Sequence, residues 1–184
     1  MTDRRNIEIK ARCQDLVAAE DAARRLGARR AARLRQEDTY FHVPEGRLKL
    51  RRIEDADAPG ATSGELIFYR RADQAGARRS DYALVDLRSD VDGLRRLLAD
   101  TLGTVARVRK ERIVYLLEST RIHLDAVDGL GHFVEIERVM AGGDSEGAAR
   151  AEVERVAAAL RVRSADLIAA SYADLLAAAG APAR

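Results

Sequence analysis

The chain has 184 residues, enough for one domain with a real core, or for one domain with a small helical appendage. Hydrophobic residues make up 47% and charged residues 34%, which excludes a disordered chain, while aromatics at 4% with no tryptophan leave few platforms for stacking bases. The net charge of +2, from 32 basic and 30 acidic residues, gives no argument for bulk nucleic-acid or membrane binding but leaves room for a concentrated basic pocket.

From Arg4 to Cys13 the sequence alternates, with Ile7, Ile9 and Ala11 on one face and Asn6, Glu8, Lys10 and Arg12 on the other; a period of two predicts a strand. Asp15 to Gly27 reads as a helix capped by Asp15, striped by Leu16, Ala19, Ala23 and Leu26, and ended by Gly27. Leu34 to His42 and Arg47 to Ile53 read as strands, and Pro44-Glu45-Gly46 between them is turn chemistry, so the pair predicts a hairpin. Glu54 to Gly64 reads as a loop. Glu65 to Arg71 and Arg79 to Asp86 are predicted strands, and Ser89 to Leu102 a helix ended by Gly103. Arg107 to Leu117 and Arg121 to Val127 predict a second hairpin, and Gly129-Leu130-Gly131 turns the chain into a last strand, His132 to Val139. Ser145 to Leu160 and Ser164 to Ala179 read as helices, with Ser164 as the N-cap of the second. Short turns between successive strands imply antiparallel pairing, and about eight strands suffice to close a barrel.

Cys13 is the only cysteine, so an intrachain disulfide and a cysteine zinc cluster are both excluded. Met1 to Asn6 holds no apolar signal region and no apolar run is long enough to span a bilayer, so a cytoplasmic protein is expected, with no membrane or nucleic-acid partner.

The polar faces of the strands carry the functional signal. The first offers Glu8 and Lys10, the third Arg47, Lys49 and Arg51, and the fourth Arg71 opposite Leu66 and Phe68. The fifth offers Arg79 and Asp81, the sixth Lys110 and Arg112, the seventh Arg121, His123 and Asp125, and the eighth Glu135 and Glu137. For any single strand a solvated face explains this as well. Repeated along the chain it suggests another arrangement: the apolar faces pack under helices and the charged faces converge inside the barrel. Cations gathered there repel one another unless an anion and a metal compensate them, and guanidinium groups fork onto phosphate oxygens. Glu8, Asp125, Glu135 and Glu137 are hard oxygen donors, and Glu135 and Glu137, two apart on a strand, point the same way; such donors suit Mg²⁺ or Mn²⁺. The same acids could instead simply neutralise neighbouring arginines.

These residues resemble the CYTH family, the triphosphate tunnel enzymes, over nearly the whole chain. The likeness runs through Asn6-Ile7-Glu8-Ile9-Lys10, Gln36 to Phe41, Gly46 to Arg51, Arg78 to Tyr82 and Arg109 to Arg112. Its most specific stretch is Arg121 to Glu137, and Ser171-Tyr172 with Leu175-Leu176 looks like the C-terminal helix of the class IV adenylyl cyclase branch. The resemblance implies an α+β fold: one CYTH-like domain over residues 1–184, an eight-stranded antiparallel tunnel with flanking helices, and the helical part from 140 to 184 packed on the barrel. It implies that Lys10, Lys49, Arg51, Arg71, Arg79, Lys110, Arg112 and Arg121 hold phosphates and that Glu8, Asp125, Glu135 and Glu137 hold Mg²⁺ or Mn²⁺. Between adjacent Arg70 and Arg71, strand parity selects Arg71.

For function the resemblance implies a class IV adenylyl cyclase-like enzyme converting ATP to cyclic AMP and pyrophosphate. The alternatives are a phosphohydrolase acting on inorganic or organic triphosphates, thiamine triphosphate included, and a non-catalytic triphosphate-binding module. The partner is then a nucleoside or inorganic triphosphate, and the cyclase branch suggests a homodimer. Glu8 and His123 are the candidate acid–base groups; His123 could equally be a barrel residue donating to phosphate or to a neighbouring acid. Asp38 and Tyr40 could position a base or a ribose, though an ordinary hairpin accounts for them as well. Asn6 stands where the family's first glutamate falls; its amide oxygen can ligate a metal but carries no charge, which weighs against vigorous hydrolysis more than against binding.

Overall fold

The computed structural model describes residues 2–180. Its strands are β1 (Thr2–Arg12), β2 (Arg29–Phe41), β3 (Arg47–Asp55), β4 (Thr62–Arg71), β5 (Arg78–Leu87), β6 (Thr104–Leu117), β7 (Thr120–Val127) and β8 (Gly131–Met140). The helices are α1 (Leu16–Arg25), α2 (Val91–Leu102), α3 (Glu146–Ala159) and α4 (Tyr172–Ala178). The strands close into an antiparallel barrel in the order β1-β5-β4-β3-β2-β6-β7-β8, with the four helices outside or at one end, so the predicted α+β barrel is the observed fold.

The polarity of the wall is inverted relative to an ordinary small barrel. β1 turns Asn6, Glu8 and Lys10 inward, and Ile7 and Ile9 outward. Ile122, Leu124, Val134 and Ile136 of β7 and β8 join them on the outside, under Ala19, Ala22 and Ala23 of α1 and Val153, Val156 and Ala157 of α3. Each large aliphatic side chain so covered contributes about 1.5–3 kcal/mol, which holds the wall together from its outer surface and frees the interior for charge. α2 covers the next stretch of wall, where Val91, Leu94 and Leu98 meet Phe41, Leu48, Leu50 and Leu66. Its approach is close enough that a Cβ on Gly64 would lie 2.7 Å from a Val91 methyl, which accounts for glycine there. At one end of the barrel Val108, Val127 and Phe133 form an apolar plug with Tyr172 and Ala173, the Phe133 and Tyr172 rings centred 4.9 Å apart.

Three local expectations are corrected. β2 and β6 begin earlier than predicted, at Arg29 and Thr104, because each extension pairs with the other strand (Arg29 with Leu116, Phe41 with Thr104) although neither has an alternating pattern. The loop expected over residues 54–64 shrinks as β3 continues to Asp55 and β4 starts at Thr62. The helix expected from Ser164 to Ala179 is broken: Ser164–Asp166 is a single 3-10 turn, Leu167 bridges Ala11, and α4 starts only after Ser171. Alanine-rich sequence favours helix, but the Ile168 amide donates to the Lys10 carbonyl at 2.9 Å and Arg78 Nη1 reaches the carbonyls of Ile168 and Ala169. These tertiary bonds hold the segment extended. The N-cap is therefore Ser171 rather than Ser164, in a capping box with Asp174. α1 and α3 carry their expected caps, Asp15 and Ser145.

Candidate active site

The barrel encloses a cavity of about 310 Å³, at the small end of the roughly 300–1,000 Å³ usual for ligand sites. Seven basic side chains (Lys10, Lys49, Arg51, Arg71, Lys110, Arg112, Arg121) and five carboxylates (Glu8, Asp38, Glu65, Glu135, Glu137) line it, an excess of positive charge. Period-two alternation delivers them: each charged residue follows its neighbour by two along a strand, with the apolar residues between them facing the helices.

Two buried carboxylates organise the cations. Asp38 accepts from Arg51 Nε and Nη2 at 2.7 and 2.9 Å and from Lys49 Nζ at 2.9 Å. Burial pushes its carboxyl up, but Arg51 and Lys49 outweigh burial and hold it well below the usual range. Asp125 accepts from Arg112 Nε and Nη2, both at 2.6 Å, from the Tyr172 hydroxyl at 2.9 Å and from Lys110 Nζ at 3.3 Å. Burial again acts upward on it, and Arg112 and Lys110 bring it below the ordinary value. Arg112 also reaches Glu135 Oε2 at 2.6 Å, and Lys10 lies 3.2 Å from Glu135 Oε1 and 3.8 Å from the centre of the Tyr172 ring. Burial acts upward on Glu135 too, and Lys10 and Arg112 together keep it well below its ordinary value. Lys110 is pulled down to about 7, by burial first and then by Arg112. A lysine so poised is readily recharged by an incoming anion.

Other groups lack partners. Arg71 gives Nη1 to Glu8 at 2.5 Å, yet its Nε and Nη2 are buried without a hydrogen bond, as are Asn6 Oδ1, Gln36 Oε1 and His123 Nδ1. Among the described residues Arg121 pairs with no carboxylate and Glu137 with no lysine or arginine, although the two are cross-strand partners. A buried polar atom left alone costs about 1–3 kcal/mol, so these atoms mark where a guest would complete the site.

The structure sorts the predicted residues into distinct places. Lys10, Lys49, Arg51, Arg71, Lys110, Arg112 and Arg121 converge on the cavity. Arg71 faces inward, while Arg70 faces outward beside Glu45. Arg79 is a correction: β5 turns Ser80, Tyr82 and Leu84 to the cavity, so Arg79 lies outside, half exposed and forked onto Asp81. The inward arginine is Arg78, fully buried, with Nε 3.2 Å from Glu8 and Nη1 on three backbone carbonyls. Its Nε and Nη1 are spent on the protein and it does not line the cavity, while its Nη2 is buried without a partner.

The four predicted metal carboxylates also part company. Glu135 and Glu137 come together with His123, whose Nδ1 stands 3.7 Å from Glu135 Oε2 and 3.8 Å from Glu137 Oε1; ligand atoms of all three lie within 4.8 Å of one another. Asp125 does not line the cavity, and both its oxygens are occupied by Arg112, Lys110 and Tyr172. Glu8 lines the cavity but its Oε1 is engaged by Arg71 and Arg78. Gln36, Glu65 and the apolar trio Leu34, Ile53 and Val114 line the cavity and were not singled out from sequence. Leu34 shares its strand face with Gln36, Asp38 and Tyr40, so an apolar residue at the end of a polar face was the available sign.

No helix among the described residues is long and apolar enough to cross a membrane. No curated protein matches the chain. Among solved structures, the PH1819 protein of Pyrococcus horikoshii is similar at 24% identity, covering 95% of this chain and 99% of that one, with a TM-score of 0.78. A candidate adenylate cyclase of Vibrio parahaemolyticus is similar at 21% identity, over 94% and 97% of the two chains, with a TM-score of 0.69. HpAC1 of Hippeastrum, a candidate adenylyl cyclase described as having a dominant triphosphatase activity, is similar at 16% identity over 96% of each chain, with a TM-score of 0.61. At these identities the likeness is one of fold. Residues 4–172 match the family model of the CYTH domain, and with the closed barrel already described this makes the chain a member of the CYTH family, built on its triphosphate-tunnel fold.

Proposed function

We propose that the protein is a metal-dependent enzyme acting on an organic triphosphate at the phosphorus nearest the organic group, in the manner of a class IV adenylyl cyclase. ATP would give cyclic AMP and pyrophosphate. The observation that carries this reading is the position of the apolar wall. Leu34, Ile53 and Val114 sit on the inner faces of β2, β3 and β6 and pack into none of the buried hydrophobic clusters. Val114 is the register partner of His123, and Leu34 that of Arg112. An organic group resting on this wall places its first phosphate beside His123, Glu135 and Glu137 and sends the rest of the chain toward the cations.

The proposed division of labour follows from these contacts. Arg51, Lys110 and Arg112 are held by Asp38 and Asp125 facing the cavity, and so present preorganised donors to the bridging and terminal phosphates. Arg71 has two unused donor atoms, and Arg121 has its whole guanidinium available. The donor set of His123, Glu135 and Glu137 fits a divalent cation, since its nitrogen is buried without a partner and one of its carboxylates is unpaired by any base. A divalent cation there would neutralise phosphate charge and polarise the phosphorus–oxygen bonds. In the reaction the ribose 3′-hydroxyl gives its proton to solvent and its oxygen bonds to the α-phosphorus as the bond to the pyrophosphate oxygen breaks and pyrophosphate leaves. Lys10 and Arg112 stabilise the negative charge that grows on the departing pyrophosphate.

The test is one incubation series. ATP, tripolyphosphate and thiamine triphosphate are each offered with Mg²⁺ and with Mn²⁺, and cyclic AMP, pyrophosphate and phosphate are resolved. Cyclic AMP with pyrophosphate is the expected result for ATP. Phosphate as the sole product assigns the site to hydrolysis. Failure of every triphosphate to bind, measured calorimetrically, rejects the triphosphate reading altogether.

A further inference from the structure

We propose that His123 is itself a metal ligand, and that the set of one imidazole and two carboxylates makes this site favour a first-row transition ion such as Mn²⁺ over Mg²⁺. The inference rests on the metal-dependent reading above and concerns the identity of the ion.

His123 is 5% exposed, on the inner face of β7, and its Nδ1 has no hydrogen-bond partner. Nδ1 lies 3.7 Å from Glu135 Oε2 and 3.8 Å from Glu137 Oε1, beyond hydrogen-bond reach of both. A cation that binds nitrogen and oxygen at roughly 2.0–2.2 Å holds its donors roughly 3–4 Å apart. The two separations from His123 are already in that range, and ligand atoms of all three side chains lie within 4.8 Å of one another.

Electrostatics agrees. Glu135 is paired with Lys10 and Arg112, while Glu137 forms no ion pair with a lysine or arginine among the described residues. Its cross-strand neighbour Arg121 lines the same cavity without forming an ion pair with it. Asp125 offers no competing site, because it does not line the cavity.

The donor chemistry then decides between ions. Mg²⁺ takes oxygen ligands and gives up water reluctantly, whereas imidazole suits the later divalent ions of the first row. Mn²⁺ shares with Mg²⁺ the preference for carboxylates and substrate oxygens that a triphosphate site requires, but as a first-row transition ion it tolerates an imidazole among them better.

The test uses the full-length protein without any triphosphate. Mn²⁺ is added, and pulsed electron paramagnetic resonance reads nitrogen modulation from a coordinated imidazole. Titrations give separate dissociation constants for Mn²⁺ and Mg²⁺. Nitrogen modulation is expected in the wild type. His123→Gln should lose it and weaken Mn²⁺ binding by about tenfold or more, with a change of under roughly threefold for Mg²⁺. Mn²⁺ bound to the wild type without nitrogen coupling overturns the inference and leaves the metal-dependent reading standing. Absence of any bound divalent ion in the wild type, with or without tripolyphosphate, overturns both. Because the wild-type spectrum decides alone, a variant that fails to fold does not blunt the test. Glu137→Gln provides a second check: it should weaken both ions, and unchanged affinity for both also rejects the site.

Discussion

Two regions of the tunnel interior, a few residues apart on the same strands, are built to opposite plans. Around Asp125 every charge is answered: two bonds from Arg112, one from Tyr172 and one from Lys110. Around His123, Glu137, Arg71 and Arg121, polar atoms are left without partners or charges without opposites. The difference teaches how a tunnel full of charge is stable before its ligand arrives. One region spends its polar groups on each other and becomes a rigid scaffold; the other is left incomplete for a guest to finish. Asp38, with Lys49 and Arg51, belongs to the first plan.

The sharpest way to break this comparison is to remove the anchor. Asp125→Ala should destabilise the protein by about 3–5 kcal/mol, since Arg112 loses its fork and Lys110 its counter-ion inside the barrel. Urea denaturation measures it; a loss of activity at unchanged stability would move Asp125 into the ligand-binding region. Next comes Arg121→Ala on the incomplete side. A lost charge-assisted contact to phosphate is worth about 1.5–3 kcal/mol, so tripolyphosphate affinity should fall by roughly 10–100-fold. Stability should stay within about 0.5 kcal/mol, and a larger change in the melting transition would show that Arg121 has a structural partner.

Lys110 joins the two regions, and its titration sharpens the comparison. Its folded value of about 7 lies below the ordinary lysine value of 10.5, so between these two pH values the folded state holds fewer protons than the unfolded state. Its penalty to the fold is fully present below pH about 7 and is relieved as pH rises toward 10.5. Binding runs the other way, because a phosphate favours the charged lysine. Above neutrality, triphosphate binding should take up about one proton and weaken as pH rises. Calorimetry in buffers of different ionisation enthalpy reads the uptake, and Lys110→Arg should abolish it. The smallest effect is expected outside the barrel: Arg79→Ala should change stability by less than about 0.5 kcal/mol and leave tripolyphosphate affinity unaltered in the same titration.

Much of this was legible where apolar and charged residues alternate cleanly. Arg121 to Glu137 spells out β7 and β8, and the inward direction of His123, Glu135 and Glu137 follows from it. Arg47 to Ile53 does the same for Lys49 and Arg51. β5 defeated the same reasoning. Arg78 and Arg79 are adjacent and alike, and the residues after them, Ser80 to Val85, show no clean alternation to mark a face. Only the pairing of Glu8 with Arg78 in the β1–β5 ladder fixes the parity. The C-terminal segment failed for a different reason: its alanines favour helix locally, while β1 and Arg78 bind its backbone from a distance.

By itself, the sequence determined the barrel, the inward turn of most of its charges and the family, because a period of two and the order of motifs are properties of the chain alone. Only the tertiary structure decided which charges satisfy one another and which remain open. Asp125 and Glu137 are both inward carboxylates with identical local credentials. Cross-strand register and the arrival of Tyr172 from the C-terminal helix enclose the first among donors, and leave the second facing a cavity beside His123.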